Sequence, residues 1–115
     1  MDITSNNITL KLKLNINEMQ TLYYYIENNY RKLYNNTALG LYQTHILNDF
    51  KIKLTLAMFK IITNRAKPAK TFNLNQLERH TLSCLFNKAP TNDGYLLVIQ
   101  EQIIKGLINQ NYYAA

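Results

Sequence analysis

The strictest pattern in the chain lies near its start. In ITLKLKLNI, residues 8–16, Ile8, Leu10, Leu12, Leu14 and Ile16 alternate with Thr9, Lys11, Lys13 and Asn15. A period of two over such a run predicts a β-strand with one apolar and one wet face. The period then changes. Met19, Leu22, Tyr23, Ile26, Tyr30, Leu33 and Tyr34 recur at steps of three and four, the stripe of an amphipathic helix. At the joint stands Asn17, with Gln20 three residues on. That spacing reads as a capping box, in which the Asn side chain accepts from a first-turn amide and Gln20 reaches back.

The stretch LNINEMQ at 14–20 is echoed by FNLNQLE at 72–78. Here a short extended run, Thr71–Leu74, follows Pro68, which biases its predecessor away from the helical region. Asn75 is the expected cap, Glu78 lies three residues on, and Leu77, Thr81, Leu82 and Leu85 continue at helical spacing.

Between the two copies, residues 38–65 read as one long helix. Tyr42, Ile46, Phe50, Leu54, Ala57 and Ile61 form its stripe, while Ile52, Leu56, Phe59 and Ile62 spread onto other faces. Apolar nearly all round, it is expected to be central. Within it FKIKLTL, residues 50–56, also alternates and alone would fit a strand. Helical spacing on both sides, with no turn signal between, favours helix. After the loop KAPTNDG at 88–94, Leu96, Ile99, Ile103 and Leu107, widened by Leu97, Ile104 and Ile108, predict a last helix from Tyr95 to Asn111. Gly106 inside it costs about 1 kcal/mol against Ala, unless close packing uses its missing side chain.

The expected order is β-α-α-β-α-α: an α+β fold, predominantly helical, with two short strands, about four helices and two related β-α-α halves. It forms one domain over 1–115, with a disordered tail at 1–7. The first strand reads longer than the second, and unpaired backbone on such an edge recruits other chains. A homodimer joined through the sheet follows.

Apolar residues at 47% support a packed core. The single Cys84 excludes an intrachain disulfide and suits a reducing compartment. MDITSNN lacks the basic start and apolar core of a secretory signal. The longest apolar runs, 54–62 and 96–99, fall short of the ~20 residues of a membrane span. The expected setting is cytoplasmic, with no membrane partner.

The net charge of +6 invites a nucleic-acid reading. Abundant Asn, Lys, Ile and Tyr with no Trp also match A/T-rich codons, which raise Lys without any anionic partner. Position matters more than the total. From Lys51 to Leu77 the chain carries cations and no acid, and NRAKPAK at 64–70 gathers Arg65, Lys67 and Lys70 in a loop. Lys11 and Lys13 on the wet strand face join them as candidate phosphate contacts, with Arg79 and Lys88 close by if the third helix folds back. The competing reading is a solvated helix end whose cations meet the helix dipole. The gap between the last two helices is too long for a helix-turn-helix.

Catalytic chemistry is thin. His45 and Asp49 share a helix face, yet a metal needs a third ligand that the pattern does not supply. His80 and Cys84, also four apart, resemble the start of a base–nucleophile dyad. Cys84 within LSCLF equally fits as a small buried residue. The carboxylates are scattered, the glycines isolated, and no cofactor is implied. Tyrosines stand out instead. Tyr24 and Tyr25 lie off the apolar stripe beside Asn28, Arg31, Asn29 and Lys32, and Tyr and Arg are enriched where proteins meet. Tyr24, Tyr25, Arg31 and Lys32 are therefore the candidate partner contacts. The expected function is a non-enzymatic interaction protein, adaptor or accessory, that binds itself or another protein. The alternative is a nucleic-acid-binding accessory protein using the loop at 64–70.

Overall fold

Strand β1 (Leu10–Asn15) passes directly into helix α1 (Ile16–Asn29), which a 3-10 turn (Tyr30–Leu33) prolongs. Then come α2 (Ala38–Ile62), β2 (Ala69–Leu74), α3 (Gln76–Lys88) and α4 (Gly94–Ala114). The computed structural model describes residues 10–114, with side chains described for 10–105. The tail expected at 1–7, the strand positions Ile8 and Thr9, the surroundings of Gly106, and the side chains of Leu107, Ile108, Tyr112 and Tyr113 lie outside that description. The fold is α+β and predominantly helical in the order β-α-α-β-α-α, and FKIKLTL lies inside α2.

The two strands pair antiparallel, Leu10 opposite Leu74, Leu12 opposite Phe72 and Asn15 opposite Ala69. Alternation sorts their faces. Leu10, Leu12, Leu14, Phe72 and Leu74 are buried, whereas Lys11, Lys13 and Asn15 are exposed. β2 is longer than the sequence suggests, beginning at Ala69 rather than Thr71. Each strand as described holds 6 residues and is paired along its length, so no overhang occurs among the described residues; Ile8 and Thr9, on which the longer first strand rested, lie outside them. The other edge of β1 is engaged at Lys13. The Lys13 amide donates to Gln102 Oε1 at 3.2 Å, and Gln102 Nε2 donates to the Lys13 carbonyl at 3.3 Å. A side-chain amide from α4 thus takes the place of a neighbouring strand at Lys13, which leaves less of this edge open to recruitment.

Helix α1 is capped by Asn15, not Asn17. Asn15 keeps an extended backbone (φ −84°, ψ 175°), and its side chain accepts from the Glu18 amide at 2.8 Å. Glu18 accepts in return from the Asn15 amide at 2.9 Å. Asn75 and Glu78 form the same box for α3, at 2.8 and 3.0 Å. The physical repeat is therefore Leu-Asn-x-x-Glu, at 14–18 and 74–78. Asn17 lies within the first turn, where its carbonyl accepts from the Thr21 hydroxyl. Pairing with β2 ends at Asn15, and the chain coils at the first residue the ladder releases. Any kinship of the two halves rests on this junction alone.

Thr37 caps α2, its hydroxyl accepting from the Gly40 amide at 3.1 Å. A Cβ on Gly40 would stand 2.6 Å from Asn35 Oδ1 and 2.8 Å from the Leu33 carbonyl oxygen, so only glycine lets α2 approach the 3-10 turn this closely. The loop beyond α2 includes Asn64 at φ 59°, in the left-handed region. On its inner side α2 buries Leu47, Phe50, Leu54 and Ala57, and the Phe50 ring meets Phe72 edge-on at 5.7 Å. α2 packs on α1, α3 and the 3-10 turn; α4 packs on β1, α1 and α3.

Replacing Asn15 or Asn75 with Ala lowers the unfolding free energy by about 1 kcal/mol each, whereas Asn17→Ala changes it by less than about 0.5 kcal/mol. Urea denaturation of the three variants checks this placement of the caps.

Candidate functional site

Helix α2 is not enclosed as its composition suggests. Neighbouring elements cover one side, and the other faces solvent with Ile52 at 52%, Leu56 at 57%, Phe59 at 56% and Ile62 at 69% exposure. Ile52, Leu56 and Phe59 are spaced i, i+4, i+7, so they line up along roughly 10 Å of one face. Toward the amino end the same side carries exposed Leu41 and Tyr42, then His45, Asn48 and Asp49. Such a face needs a reason, because large apolar groups at the surface of a monomer are usually isolated. The cause lies in the packing: α1 and α3 occupy the inner side of α2, while α4 is committed to β1, α1 and α3. The sequence carried the signal as apolar residues all round the helix, and it points to a surface rather than a core.

Ion pairs hold this helix in place. Lys53 Nζ lies 2.9 Å from Glu78 Oε2, and Glu78 is the buried carboxylate that also completes the α3 cap. Lys51 pairs with Glu27 of α1 and sits over two rings, 5.7 Å from the Tyr23 centroid and 5.6 Å from Tyr30. Tyr30 in turn accepts from Arg31 Nε at 3.3 Å. That hydrogen bond, the largest cause, raises the Arg31 pKa.

Of the four partner-contact candidates, Tyr25 is a core residue instead. Its ring stacks on Phe86 with centroids 5.0 Å apart, and its hydroxyl lies 2.6 Å from the Ala89 carbonyl and 3.2 Å from that of Leu85. Burial pushes its pKa up from 10.0 to about 12. Tyr24, Arg31 and Lys32 are exposed, Tyr24 with its ring set edge-on to Tyr23 at 5.5 Å.

The cationic candidates divide similarly. Arg65, Lys67 and Lys70 are exposed in and beside the loop, and Lys70 Nζ stands 5.2 Å over the Phe72 ring. Lys11 and Lys13 are exposed on the outer sheet face opposite Asn73 and Thr71. The loop enters the sheet at Ala69, opposite Asn15, so these cations border one end of the ribbon. Lys88 is exposed at the far end of α3. Arg79 does not join them. It is buried, its Nε and Nη1 have no hydrogen-bond partner among the described residues, and desolvation lowers its pKa.

The titratable pairs are modest. His45 borders a cleft of about 250 Å³ with Glu27, Tyr30, Thr44, Asn48 and Lys51. No group of three or more metal-ligand side chains converges among the described residues. Half-buried Cys84 places its Sγ 3.6 Å from His80 Nε2. No described helix is long and apolar enough to cross a membrane. No family model matches the chain, and neither a curated protein nor a solved structure does.

Tyr25→Phe removes the hydroxyl from the Leu85 and Ala89 carbonyls and costs about 1–2 kcal/mol of stability. Its pH dependence is distinctive. The folded pKa lies above the unfolded one, so the contribution of Tyr25 is intact below pH 10 and is lost as pH rises toward 12. Thermal melts from pH 9 upward, on the order of three pH units, show wild type losing its advantage over Tyr25→Phe across that window.

Proposed function

We propose that this chain is a non-enzymatic interaction protein, adaptor or accessory in kind, whose docking surface is the outer face of α2. The observation that carries the reading is the aligned exposure of Ile52, Leu56 and Phe59, with Ile62 beside them, on a helix tied down by Lys51–Glu27 and Lys53–Glu78. A rigid apolar surface loses little entropy on docking. The partner is a second copy or another protein. Tyr24, Arg31 and Lys32 form a separate polar surface that a partner could also use. The non-enzymatic part rests on the Cys84–His80 contact standing without a described side chain to orient the imidazole. A cytoplasmic setting belongs to the same proposal, supported by the free, half-buried thiol of Cys84.

A second reading has its own observation. Arg65, Lys67 and Lys70 are exposed with no ion-pair partner among the described residues, and Lys11 and Lys13 share the adjoining sheet. These groups fit a nucleic-acid backbone, whose binding is steeply salt-dependent.

The immobilised chain, its Leu56→Asp variant and an Arg65→Gln/Lys67→Gln/Lys70→Gln variant separate the two. The first reading expects a protein partner that binds wild type and the loop variant but not Leu56→Asp. Retention of labelled single-stranded DNA or RNA at about 50 mM salt, lost in the loop variant and at higher salt, would move the function to the second reading.

A further inference from the structure

We propose that the outer face of α2 is covered by the same face of a second copy, the two helices running antiparallel about a two-fold axis that passes between Phe50 and Lys51. The inference rests on the reading of α2 as the docking surface and names its occupant.

The first ground is spacing. On the exposed side, Tyr42, His45, Asp49, Ile52, Leu56 and Phe59 follow one another at alternating steps of three and four residues. That is the seam of a helix pair, narrower than the broad apolar face a bilayer takes up. The second ground is self-complementarity. α2 runs for 25 residues, and its middle falls at Phe50. Turning one copy about that middle sets Tyr42 against Phe59 of the second copy, His45 against Leu56, and Asp49 against Ile52. Leu41 then lies beside Ile62, and Asn48 beside Thr55. A parallel pairing would instead set every residue against its own copy, with Asp49 directly on Asp49. An isologous interface requires one patch to complement itself, and reversal sets the Tyr42 end of this face against its Phe59 end.

The third ground is area. Leu41, Tyr42, Ile52, Leu56, Phe59 and Ile62 are each about half exposed or more. At roughly 100 Å² of exposed surface each they offer on the order of 600 Å², against about 800 Å² per partner in a standard interface. His45, Asn48, Thr55 and Lys60 along the same side supply the remainder. Charge speaks less for an acidic helix from another protein, because Lys51 and Lys53, the cations nearest the level of the axis, are already held by Glu27 and Glu78. The weak point of the seam is Asp49. The two-fold brings its two copies near one another among Ile52 side chains, which makes the association reversible.

Sedimentation equilibrium of the full chain between about 1 and about 300 μM gives the expected dimer mass. Leu56→Asp is monomeric throughout with an unchanged far-UV spectrum. Asp49→Ile tightens the dimer by about tenfold or more, an effect that a merely structural role would not produce. In a Cys84→Ser background, Tyr42→Cys and Phe59→Cys chains cross-link on mixing faster than either does alone. A wild-type monomer over the whole range overturns the inference, as does a dimer indifferent to Leu56→Asp. If the monomer nevertheless binds a different protein through Leu56, the docking face stands and only the second copy falls. Leu56-dependent binding of the monomer to anionic phosphatidylserine vesicles would overturn both in favour of a membrane surface.

Discussion

The pairing of β1 with β2 is the constraint on which the other elements depend. A two-stranded ribbon is marginal in water by itself. This one survives because Leu12, Leu14 and Leu74 are wholly removed from solvent against the helices. Its register does more than bury leucines. With Leu10 opposite Leu74 and Asn15 opposite Ala69, the two Leu-Asn-x-x-Glu junctions stand at opposite ends of the ribbon, and α1 and α3 start there. A slip by one residue would turn the apolar row of one strand to water and move its cap off the helix start.

The exposure of α2 follows from how the interior is filled. Phe50 reaches the ribbon through Phe72, while Leu47, Leu54 and Ala57 join the same core. The Gln102 amide draws α4 to the far edge of β1, where it cannot cover α2. Half of a strongly apolar helix is left without a neighbour among the described residues. Three of the tyrosines serve the interior, while Tyr24, Tyr34, Tyr42 and Tyr95 are exposed. Tyr23 and Tyr30 hold Lys51 against α1, and Tyr25 closes the gap between α1 and the end of α3.

Local patterns were legible where one residue period dominated. The alternation through Leu14 and the helical spacing of α1, α3 and α4 reach the structure almost intact. Asn75 was legible as a cap because Leu74 ends a short run. Asn15 was not, since Ile16 continues the alternation and pattern alone cannot tell the last strand residue from the first helical one. Ala69 and Lys70 carry no strand signal, so β2 read short; Lys70 is accommodated by lying over Phe72. Tyr25 and Arg79 misled because their burial is set by contacts distant in sequence, with Phe86 and the α3 terminus in the first case. The outer face of α2 was visible as composition but not as exposure, because no local pattern says how many neighbours a helix will meet.

The register of the ribbon is open to direct measurement by nuclear Overhauser spectroscopy. The Lys13 amide and carbonyl point away from β2 toward Gln102, so Lys13–Thr71 and Lys11–Asn73 are the close, non-hydrogen-bonded pairs of the ladder. Strong cross-peaks between the α-protons of those two pairs are the predicted result. Cross-peaks that join Leu12 to Thr71 instead, or none between the strands, would contradict the pairing and with it the caps, the core and the open face of α2.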